Sequence, residues 1–304
     1  MKNVPLVSII TVTFNLLKAG REKTFRRCLE SVHAQAYANI EHIVVDGASI
    51  DGTVDLIKEY AERDWVRYIS EPDKGIYDAM NKGIKLAKGK YIAFLNSDDF
   101  YNDAKGIEES VEHLERSRAD FSYAPAVIKF EDGSLFSDHP QCKPKMSNVF
   151  FTMPFCHQAM FTKREVMLKE NMFDTRYKSA ADYDFVVRLC LKKYKSVFVK
   201  KKFVTYLFGG VSSTDQENSV RETTEVWRKN FSSIYPISDS VIDAMRKNIY
   251  TGKYFDGIPR AFAKRLENFE PYFNYNEYLN YSGKENYSLK IYSFFSKWKD
   301  FLKK

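Results

Sequence analysis

The chain has 304 residues, of which 44% are hydrophobic, and a formal net charge of +7. This length and composition allow one large core with an appendage or two modest domains, and they give no sign of disorder. The positive charge is concentrated in residues 192–202 and 287–304. Because no nucleic-acid-binding signature accompanies this charge, we expect no nucleic-acid partner.

The cysteines and the apolar segments indicate the cellular compartment. Cys28, Cys142, Cys156 and Cys190 form no CxxC pair, which argues against a zinc site or a disulfide scaffold and favours reduced thiols. No apolar run approaches the roughly 20 residues that cross a bilayer, and Met1–Pro5 leads into a predicted strand without a signal-peptide layout. We expect a cytoplasmic protein that is soluble or bound at the inner face of the membrane.

Residues 1–100 alternate between β-rich segments and helical patterns. Leu6–Phe14 is a continuous apolar run, which is typical of a strand buried on both faces. Further strands are predicted at His42–Val45, Val66–Ile69 and Tyr91–Leu95, and helices at Phe25–Ala36, Thr53–Glu62 and Ile76–Ala87. This alternation predicts an α/β fold with a parallel sheet.

Three of the predicted strands end in polar segments, namely Thr13–Asn15, Asp46–Ser49 and Asn96–Asp99. Ligands of parallel α/β sheets bind beyond the carboxyl ends of the strands, so we expect these segments to meet at one edge and form a ligand site. No GxGxxG follows the first strand and no GxxxxGK[ST] is present. A nicotinamide dehydrogenase and a P-loop nucleotidase are therefore disfavoured.

The adjacent carboxylates Asp98 and Asp99 follow the apolar segment Tyr91–Leu95. At an effective dielectric constant of about 20, two like charges about 4 Å apart repel by about 4 kcal/mol. A hard divalent cation that also binds phosphate oxygens would relieve this repulsion, which suggests a metal–diphosphate site. The alternative is a solvated turn, because Asn, Ser and Asp are common turn residues.

The pattern becomes irregular and aromatic after Asp120. Asp132-Gly133 predicts a hairpin turn, Asp182–Asp184 leads into a predicted helix at Phe185–Leu191, and Ser196–Phe208 predicts a strand or a pair of strands. Beyond Gly209-Gly210 the sequence is helical, charged and aromatic. We predict a boundary near residue 215, with a catalytic domain at 1–215 and a helical C-terminal region at 216–304.

Four segments, read together, resemble the family 2 glycosyltransferases, which have the GT-A fold and use nucleotide sugars. They are Val7–Asn15, Asp46–Thr53, Glu71–Gly83 and Phe94–Asp99. The resemblance extends over about residues 1–210 and implies a Rossmann-like, mostly parallel sheet flanked by helices. It also implies Mn²⁺ or Mg²⁺ as cofactor and a nucleotide sugar as donor, with UDP the expected nucleotide.

The resemblance implies a substrate-binding role for residues around the strand ends. Asp46 corresponds to the carboxylate that accepts the imide N–H of uracil, with a plain turn residue as the alternative. Asp98 would face the ribose or the metal, and Asp99 would bind the metal. The remaining residues implied to contact the donor are Thr11, Phe14, Asn15, Lys74, Gly75, Asn81 and Asn96. Phe14 could equally be a core residue, and Asn81 a solvated helix position.

On the acceptor side, Ala181–Leu189 resembles the segment whose Asp deprotonates the acceptor hydroxyl. We predict Asp182 as this catalytic base, with Asp184 as the alternative; Ala181 replaces a Glu that is common in the family. By the same resemblance, His157-Gln158 is predicted to be a polar pair that faces the acceptor, although a structural histidine is equally compatible with the aromatic surroundings of His157.

These features predict an inverting glycosyltransferase that acts on a saccharide or lipid-linked acceptor in surface polysaccharide biosynthesis. The alternative is a non-catalytic nucleotide-sugar-binding or scaffold protein of the same fold. Peripheral membrane contact is one prediction for a C-terminal helix with a basic rim, and packing against the catalytic domain or in a homodimer is the other. The apolar stripe of this helix comprises Tyr287, Ile291, Phe294, Trp298 and Phe301.

Overall fold

The computed structural model describes residues 4–130, 132–138, 149–150, 152–209, 215–251 and 259–266. They belong to two compact units. The first contains the described residues of Met1–Pro144, Phe155–Phe185 and Tyr194–Asp215, and the second those of Lys145–Pro154, Val186–Lys193 and Gln216–Lys304.

The described strands of the first unit form a seven-stranded and a four-stranded sheet. The strands are β1 (Val7–Thr13), β2 (Ile40–Asp46), β3 (Arg67–Ser70), β4 (Tyr91–Phe94), β5 (Phe100–Tyr101), β6 (Phe121–Tyr123), β7 (Val127–Lys129), β8 (Leu135–Asp138), β9 (Phe161–Lys163), β10 (Ser196–Phe198) and β11 (Val204–Leu207). The large sheet has the order β10-β6-β9-β4-β1-β2-β3, and the small one β5-β11-β7-β8. In the large sheet only β9 pairs antiparallel to its neighbours, so the predicted, mostly parallel sheet is confirmed.

Helices connect the strands and continue into the second unit. They are α1 (Glu22–His33), α2 (Thr53–Ala61), α3 (Ile76–Leu86), α4 (Gly106–Ser117), α5 (Arg164–Lys169), α6 (Ala181–Leu191), α7 (Gln216–Phe231), α8 (Asp239–Thr251) and α9 (Arg260–Leu266), with a short 3-10 helix at His157–Ala159. The helices predicted in residues 1–100 are confirmed.

Strand β1 lies at the centre of the fold because both of its faces are covered. Val7, Ile9 and Ile10 are at most 1% exposed, as expected for a strand between helical layers. Helix α3 approaches this strand closely at Gly83, where an added Cβ would lie 2.5 Å from Ile10 Cγ2. Any larger residue at position 83 would push α3 away from the sheet.

In the region after Asp120, one boundary differs from the predictions, and the alternative of two strands at Ser196–Phe208 is confirmed. Helix α6 begins at Ala181 and not at Phe185, so Asp182 and Asp184 lie in its first turn, where acidic side chains stabilise the N-terminus. Ser196–Phe208 forms two strands that belong to different sheets, β10 in the large one and β11 in the small one. The hairpin turn is confirmed, because β7 and β8 pair antiparallel around Gly133, which has φ 84°.

The second unit has an aromatic core. Phe231 packs against Phe150 and Phe262, with ring centroids 5.7 and 6.1 Å apart, and Trp227 is buried beside it in the same helix. Among the described residues, no helix combines the length and the apolar character needed to cross a bilayer. The apolar stripe predicted at Tyr287–Phe301 lies outside the described residues, and both predictions for it stay open.

Candidate active site

The carboxyl ends of β1, β2 and β4 meet at one edge of the large sheet, as the sequence predicts. Thr13 Oγ1, at the end of β1, donates to Asp46 Oδ1, at the end of β2, at 2.9 Å. Thr11 Oγ1 donates to the carbonyl oxygen of Leu95, just beyond β4, at 2.8 Å. These hydrogen bonds tie the three strand ends together, so the polar segments that follow them lie side by side.

Asp46 is fully buried, and its carboxylate accepts hydrogen bonds from four groups. The donors are the hydroxyl groups of Thr13 and Ser70 and the hydroxyl and backbone N–H of Ser49, at 2.6–2.9 Å. A carboxylate offers about four lone pairs, so none remains for the N–H of a base. We therefore correct the predicted role of Asp46: it holds the ends of β1, β2 and β3 together.

Thr11 and Asn15 also stabilise this edge from within. The Thr11 side chain is fully buried, and its hydroxyl group lies 2.9 Å from His42 Nε2, so the predicted substrate contact of Thr11 is corrected to a structural one. Asn15 joins the two strand-end loops, because its backbone N–H donates to Ser49 Oγ and its Oδ1 accepts from the backbone N–H of Ile50.

Phe14, Lys74 and Gly75 lie at the surface of the same edge. The Phe14 side chain is 63% exposed, so it is not a core residue. Lys74 and Gly75 are exposed in the loop that leads into α3. Apart from the chain neighbours of Gly75, no atom of the described residues lies within 4 Å of a Cβ added at this glycine. These positions are open to a ligand, and their contact with the donor stays a prediction.

Asn81 occupies a different environment from the one predicted. Its side chain is buried, and its amide group pairs with the backbone of Phe173 in both directions: Nδ2 donates to the carbonyl oxygen at 2.8 Å, and Oδ1 accepts from the N–H at 3.0 Å. This pairing leaves Asn81 no role at the ligand surface. Asn81 holds α3 against the segment that follows α5.

Asp98 and Asp99 are adjacent in sequence, but their environments differ. Asp99 is fully buried, and its two carboxylate oxygens accept from the backbone N–H of Leu207 at 2.9 Å and from Gln158 Nε2 at 2.8 Å. Burial and the charge of Asp98 raise the pKa of Asp99 well above its usual value. Asp99 is buried away from the surface in this structure, and its role as a metal ligand stays a prediction.

The side chain of Asp98 is 13% exposed and forms an ion pair with Arg21. The Arg21 Nη1 atom lies 2.6 Å from Asp98 Oδ2. This guanidinium offsets part of the charge of Asp98, while that charge still raises the pKa of Asp99. The repulsion expected from the sequence is therefore reduced by Arg21, but it persists between the two carboxylates.

Asp182 lies at the beginning of α6, where three donors fix its carboxylate. Oδ1 accepts from the Tyr77 hydroxyl at 2.9 Å and from the backbone N–H of Tyr183 at 2.8 Å, and Oδ2 lies 3.1 Å from His157 Nδ1. Burial alone would raise the pKa of Asp182, but the hydrogen bonds from His157, Tyr183 and Tyr77 hold this pKa below its usual value. The carboxylate is ionised at neutral pH and 18% exposed.

The two acidic side chains in the first turn of α6 differ in exposure. Asp184 is fully buried, whereas Asp182 reaches the surface. A base must come within hydrogen-bond reach of the acceptor hydroxyl. This requirement favours Asp182 over Asp184, and its role as the base stays a prediction.

The short helix at His157–Ala159 links the two acidic centres. His157 contacts Asp182, and the next residue, Gln158, donates to Asp99. The Gln158 side chain is oriented in turn by the thiol of Cys156, which donates to its Oε1 at 2.7 Å. Two consecutive residues therefore place the carboxylate of α6 next to the strand end that carries Asp98.

The ligands available for a divalent cation are oxygen atoms at the end of β4. Asn96 Oδ1 is buried and has no hydrogen-bond partner among the described residues, and Asp98 lies two residues further on. In the part of the chain that the structure describes, no group of three or more His, Cys, Asp and Glu residues could hold a metal ion. Asn96 and Asp98 therefore fit a cation that completes its coordination with the phosphate oxygens of a bound nucleotide.

Sequence analysis did not assign roles to Arg21, Tyr77 or Asp73, and it paired Gln158 with His157 on the acceptor side. Tyr77 and Asp73 lie in the matched segment Glu71–Gly83, but nothing in their spacing indicates a role. Arg21 belongs to a loop of irregular sequence, and its partner Asp98 is 77 residues away. Only the folded chain brings these pairs together.

The model of the glycosyl transferase family 2 matches residues 8–171 of the chain. The chain is a family 2 glycosyltransferase. The match covers the strand ends, the Asp98 segment and His157, and the expectations of a transferase with the GT-A fold, acting on nucleotide sugars, are confirmed.

Curated relatives are also glycan-forming enzymes by name. The PGL/p-HBAD biosynthesis glycosyltransferase of Mycobacterium bovis is 29% identical over 221 residues, which cover 69% of this glycosyltransferase and 80% of the relative. The chondroitin synthase of Escherichia coli is 33% identical over 195 residues, which cover 62% of this chain but only 27% of that protein.

Solved structures share the fold at low sequence identity. S. aureus TarS 1-349 in complex with UDP-GlcNAc is 15% identical, with a TM-score of 0.54, and the match covers 95% of this glycosyltransferase and 89% of that chain. The mannosyltransferase PcManGT from Pyrobaculum calidifontis, in complex with GDP-Man and Mn²⁺, is 16% identical, with a TM-score of 0.60 and coverage of 97% and 87%.

Proposed function

We propose that this glycosyltransferase moves one sugar from a nucleoside-diphosphate sugar, with UDP as the expected nucleotide, to an acceptor hydroxyl with inversion at the anomeric carbon. The observation that carries the proposal is the link formed by His157 and Gln158, which brings an oriented carboxylate beside the strand end that carries Asp98. A single displacement needs a base and a site for the leaving group, and it needs no protein nucleophile.

In this mechanism Asp182 accepts the proton of the attacking hydroxyl. Tyr77 and the backbone N–H of Tyr183 donate to Oδ1, whereas Oδ2 is contacted by His157 and keeps a lone pair for the acceptor. The lowered pKa of Asp182 keeps it ionised and therefore able to take the proton. A positioned general base contributes about 10²–10⁴-fold to the rate.

On the opposite side of the reaction, the departing nucleoside diphosphate needs positive charge. Arg21 and Lys74 supply fixed charges at the strand-end surface. Asp98 and Asn96 are the residues that would hold Mn²⁺ or Mg²⁺, and such a cation would offset the charge that develops on the diphosphate. Either metal is compatible with these oxygen ligands.

We further propose that the acceptor is a saccharide or a lipid-linked saccharide of a surface polysaccharide. This is supported by the relatives in the biosynthesis of PGL and of chondroitin. Contact with the inner face of the membrane through residues 287–304, and a homodimer, stay predictions.

A panel of UDP-, GDP- and CDP-sugars tests the proposal. Thermal shifts identify the donor, because a ligand at 100 times its dissociation constant adds about 2.7 kcal/mol of stability. Release of the nucleoside diphosphate is then measured with MnCl₂ or MgCl₂ and without acceptor. We expect slow, metal-stimulated release, whereas binding without turnover, with and without candidate acceptors, would indicate the non-catalytic alternative.

A further inference from the structure

We infer that Asp73, and not Asp46, recognises the base of the donor, by accepting the ring N–H that uracil and guanine present on their pairing edge. The inference rests on the proposed function, because it assigns a residue to the nucleotide of the proposed donor. It starts from a close approach at the strand-end surface. A Cβ added at Gly47 would lie 2.6 Å from Asp73 Oδ2 and 3.2 Å from Phe14 Cδ2.

The carboxylate of Asp46 cannot serve this purpose. It is fully buried, and the four donors from β1, β3 and its own turn already occupy its oxygens. A base could bind to Asp46 only after one of these hydrogen bonds had been broken. The half-buried Asp73 is the carboxylate that borders Gly47 on the outer side.

The orientation of Asp73 is set by its own loop. Its Oδ1 accepts a hydrogen bond from the backbone N–H of Gly75 at 2.8 Å, and none of the described residues donates a hydrogen bond to its Oδ2. The start of the loop is attached to β2, because the backbone N–H of Glu71 donates to the carbonyl oxygen of Asp46 at 3.0 Å. The Oδ2 atom is therefore held at the surface as an acceptor.

Phe14 supplies the second element of a base-binding site. Its ring borders the same glycine and is 63% exposed, and an exposed aromatic face is a surface on which a base can stack. The loop that carries Phe14 is fixed, because the backbone N–H of Gly47 donates to the carbonyl oxygen of Thr13 at 2.9 Å. The aromatic ring of Phe14 and the carboxylate of Asp73 thus both border Gly47, which has no side chain.

This pair of groups discriminates between bases. Uracil and guanine carry a ring N–H that a carboxylate can accept, whereas cytosine and adenine carry a ring nitrogen lone pair at the equivalent position, which a carboxylate repels. Replacing Asp73 by Asn introduces an N–H donor, which suits the lone pair of cytosine. The substitution Asp73→Asn should therefore weaken the binding of UDP and GDP and strengthen the binding of CDP.

The test measures the dissociation constants of UDP, GDP, CDP and ADP by calorimetry for the wild type, Asp73→Asn and Glu71→Gln. Glu71 is an exposed carboxylate of the same loop that pairs with Lys82, so its variant controls for the loss of one charge. We expect the wild type to bind UDP or GDP at least about tenfold more tightly than CDP and ADP. Asp73→Asn should reduce this ratio about tenfold, with a gain for CDP, and Glu71→Gln should leave the ratio unchanged.

An unchanged base preference in Asp73→Asn would overturn the inference, as would a wild type that binds CDP as tightly as UDP and GDP. If the wild type binds none of the four nucleotides, with or without MnCl₂, the proposed function itself fails. That result differs from tight nucleotide binding with the same base preference in the wild type and in Asp73→Asn, which overturns only the inference about Asp73.

Discussion

The two sides of the sheet edge use the same residue type for opposite purposes. At the ends of β1 and β2, Asp46 is fully buried and receives four hydrogen bonds. At the end of β4 and the beginning of α6, Asp98 and Asp182 keep 13% and 18% of their side chains exposed. Burial and the number of donors, more than position after a strand, separate a carboxylate that holds the fold from one that can meet a ligand.

The largest effect is expected on transfer activity when the partly exposed carboxylate of Asp182 is replaced. Asp182→Asn removes the proton acceptor but keeps the shape of the side chain. We expect transfer to fall by about 10²–10⁴-fold, with the affinity for the donor within about twofold of the wild type, because the base acts on the acceptor. Single-turnover transfer and calorimetry with the donor measure the two quantities.

Asp184→Asn is the matched control for this variant, because it changes the same turn of α6. Asp184 is fully buried, so we expect its substitution to lower the melting temperature more than it slows the chemical step. Loss of transfer in Asp184→Asn, with an active and equally stable Asp182→Asn, would show that the base is two residues further along.

The structural role of the buried Asp46, at the end of β2, is tested by Asp46→Ala. This variant leaves the donors of Thr13, Ser49 and Ser70 without their acceptor. Thr13 is buried, Ser49 is half-buried and Ser70 is exposed, and an unpaired buried group costs about 1–3 kcal/mol. We expect a loss of about 3 kcal/mol in the free energy of unfolding by urea. Asp55→Ala, in an exposed pair with Lys58, should stay within about 0.5 kcal/mol of the wild type. A stable Asp46→Ala that no longer binds nucleotide would restore the role implied by the family.

The third prediction concerns the hydrogen bonds that hold Asp182. Tyr77→Phe removes a donor that lowers the pKa of this carboxylate, so the pKa must rise. The base is then protonated, and inactive, at a higher pH than in the wild type. We expect the acid limb of the kcat/KM profile to move to higher pH, with up to about tenfold lower activity at neutral pH.

Tyr68→Phe, on β3, serves as the control for Tyr77→Phe, because it removes a tyrosine hydroxyl from the side of the sheet that packs against α2. Its acid limb should coincide with that of the wild type. An unmoved limb in Tyr77→Phe would mean that Asp182 does not govern the acid side of the profile.

The smallest effect is expected at Arg21. This side chain competes with a cation for Asp98, so Arg21→Gln should bind Mn²⁺ more tightly in the absence of nucleotide. The gain is at most about fivefold, because a partly exposed ion pair is worth about 0–1 kcal/mol. Arg26→Gln is the control, because it loses the pairs that Arg26 on α1 forms with Glu22 and with Glu59 on α2. Unchanged or weaker Mn²⁺ binding in Arg21→Gln would argue against Asp98 as a ligand.

The sequence by itself determined the α/β architecture and the edge at which the site lies. The strand pattern of residues 1–100 predicts a parallel sheet, and the polar residues after β1, β2 and β4 meet where that pattern places them. Periodicity is a local property of the chain, so it can be interpreted without knowing which elements pack together. The choice of Asp182 over Asp184 also came from the sequence, through the resemblance of its segment to the family.

Only the tertiary structure decided which polar side chains are available. The amide of Asn81 is occupied by Phe173, 92 residues away, and the carboxylate of Asp99 by Leu207, 108 residues away. Such partners come from elements that are distant in sequence, and a buried polar group must bind whatever donor or acceptor the packing supplies. The motif residues alone therefore could not show that Asp46, Asn81 and Asp99 are occupied by the protein itself, while Phe14 and Asp98 remain at the surface.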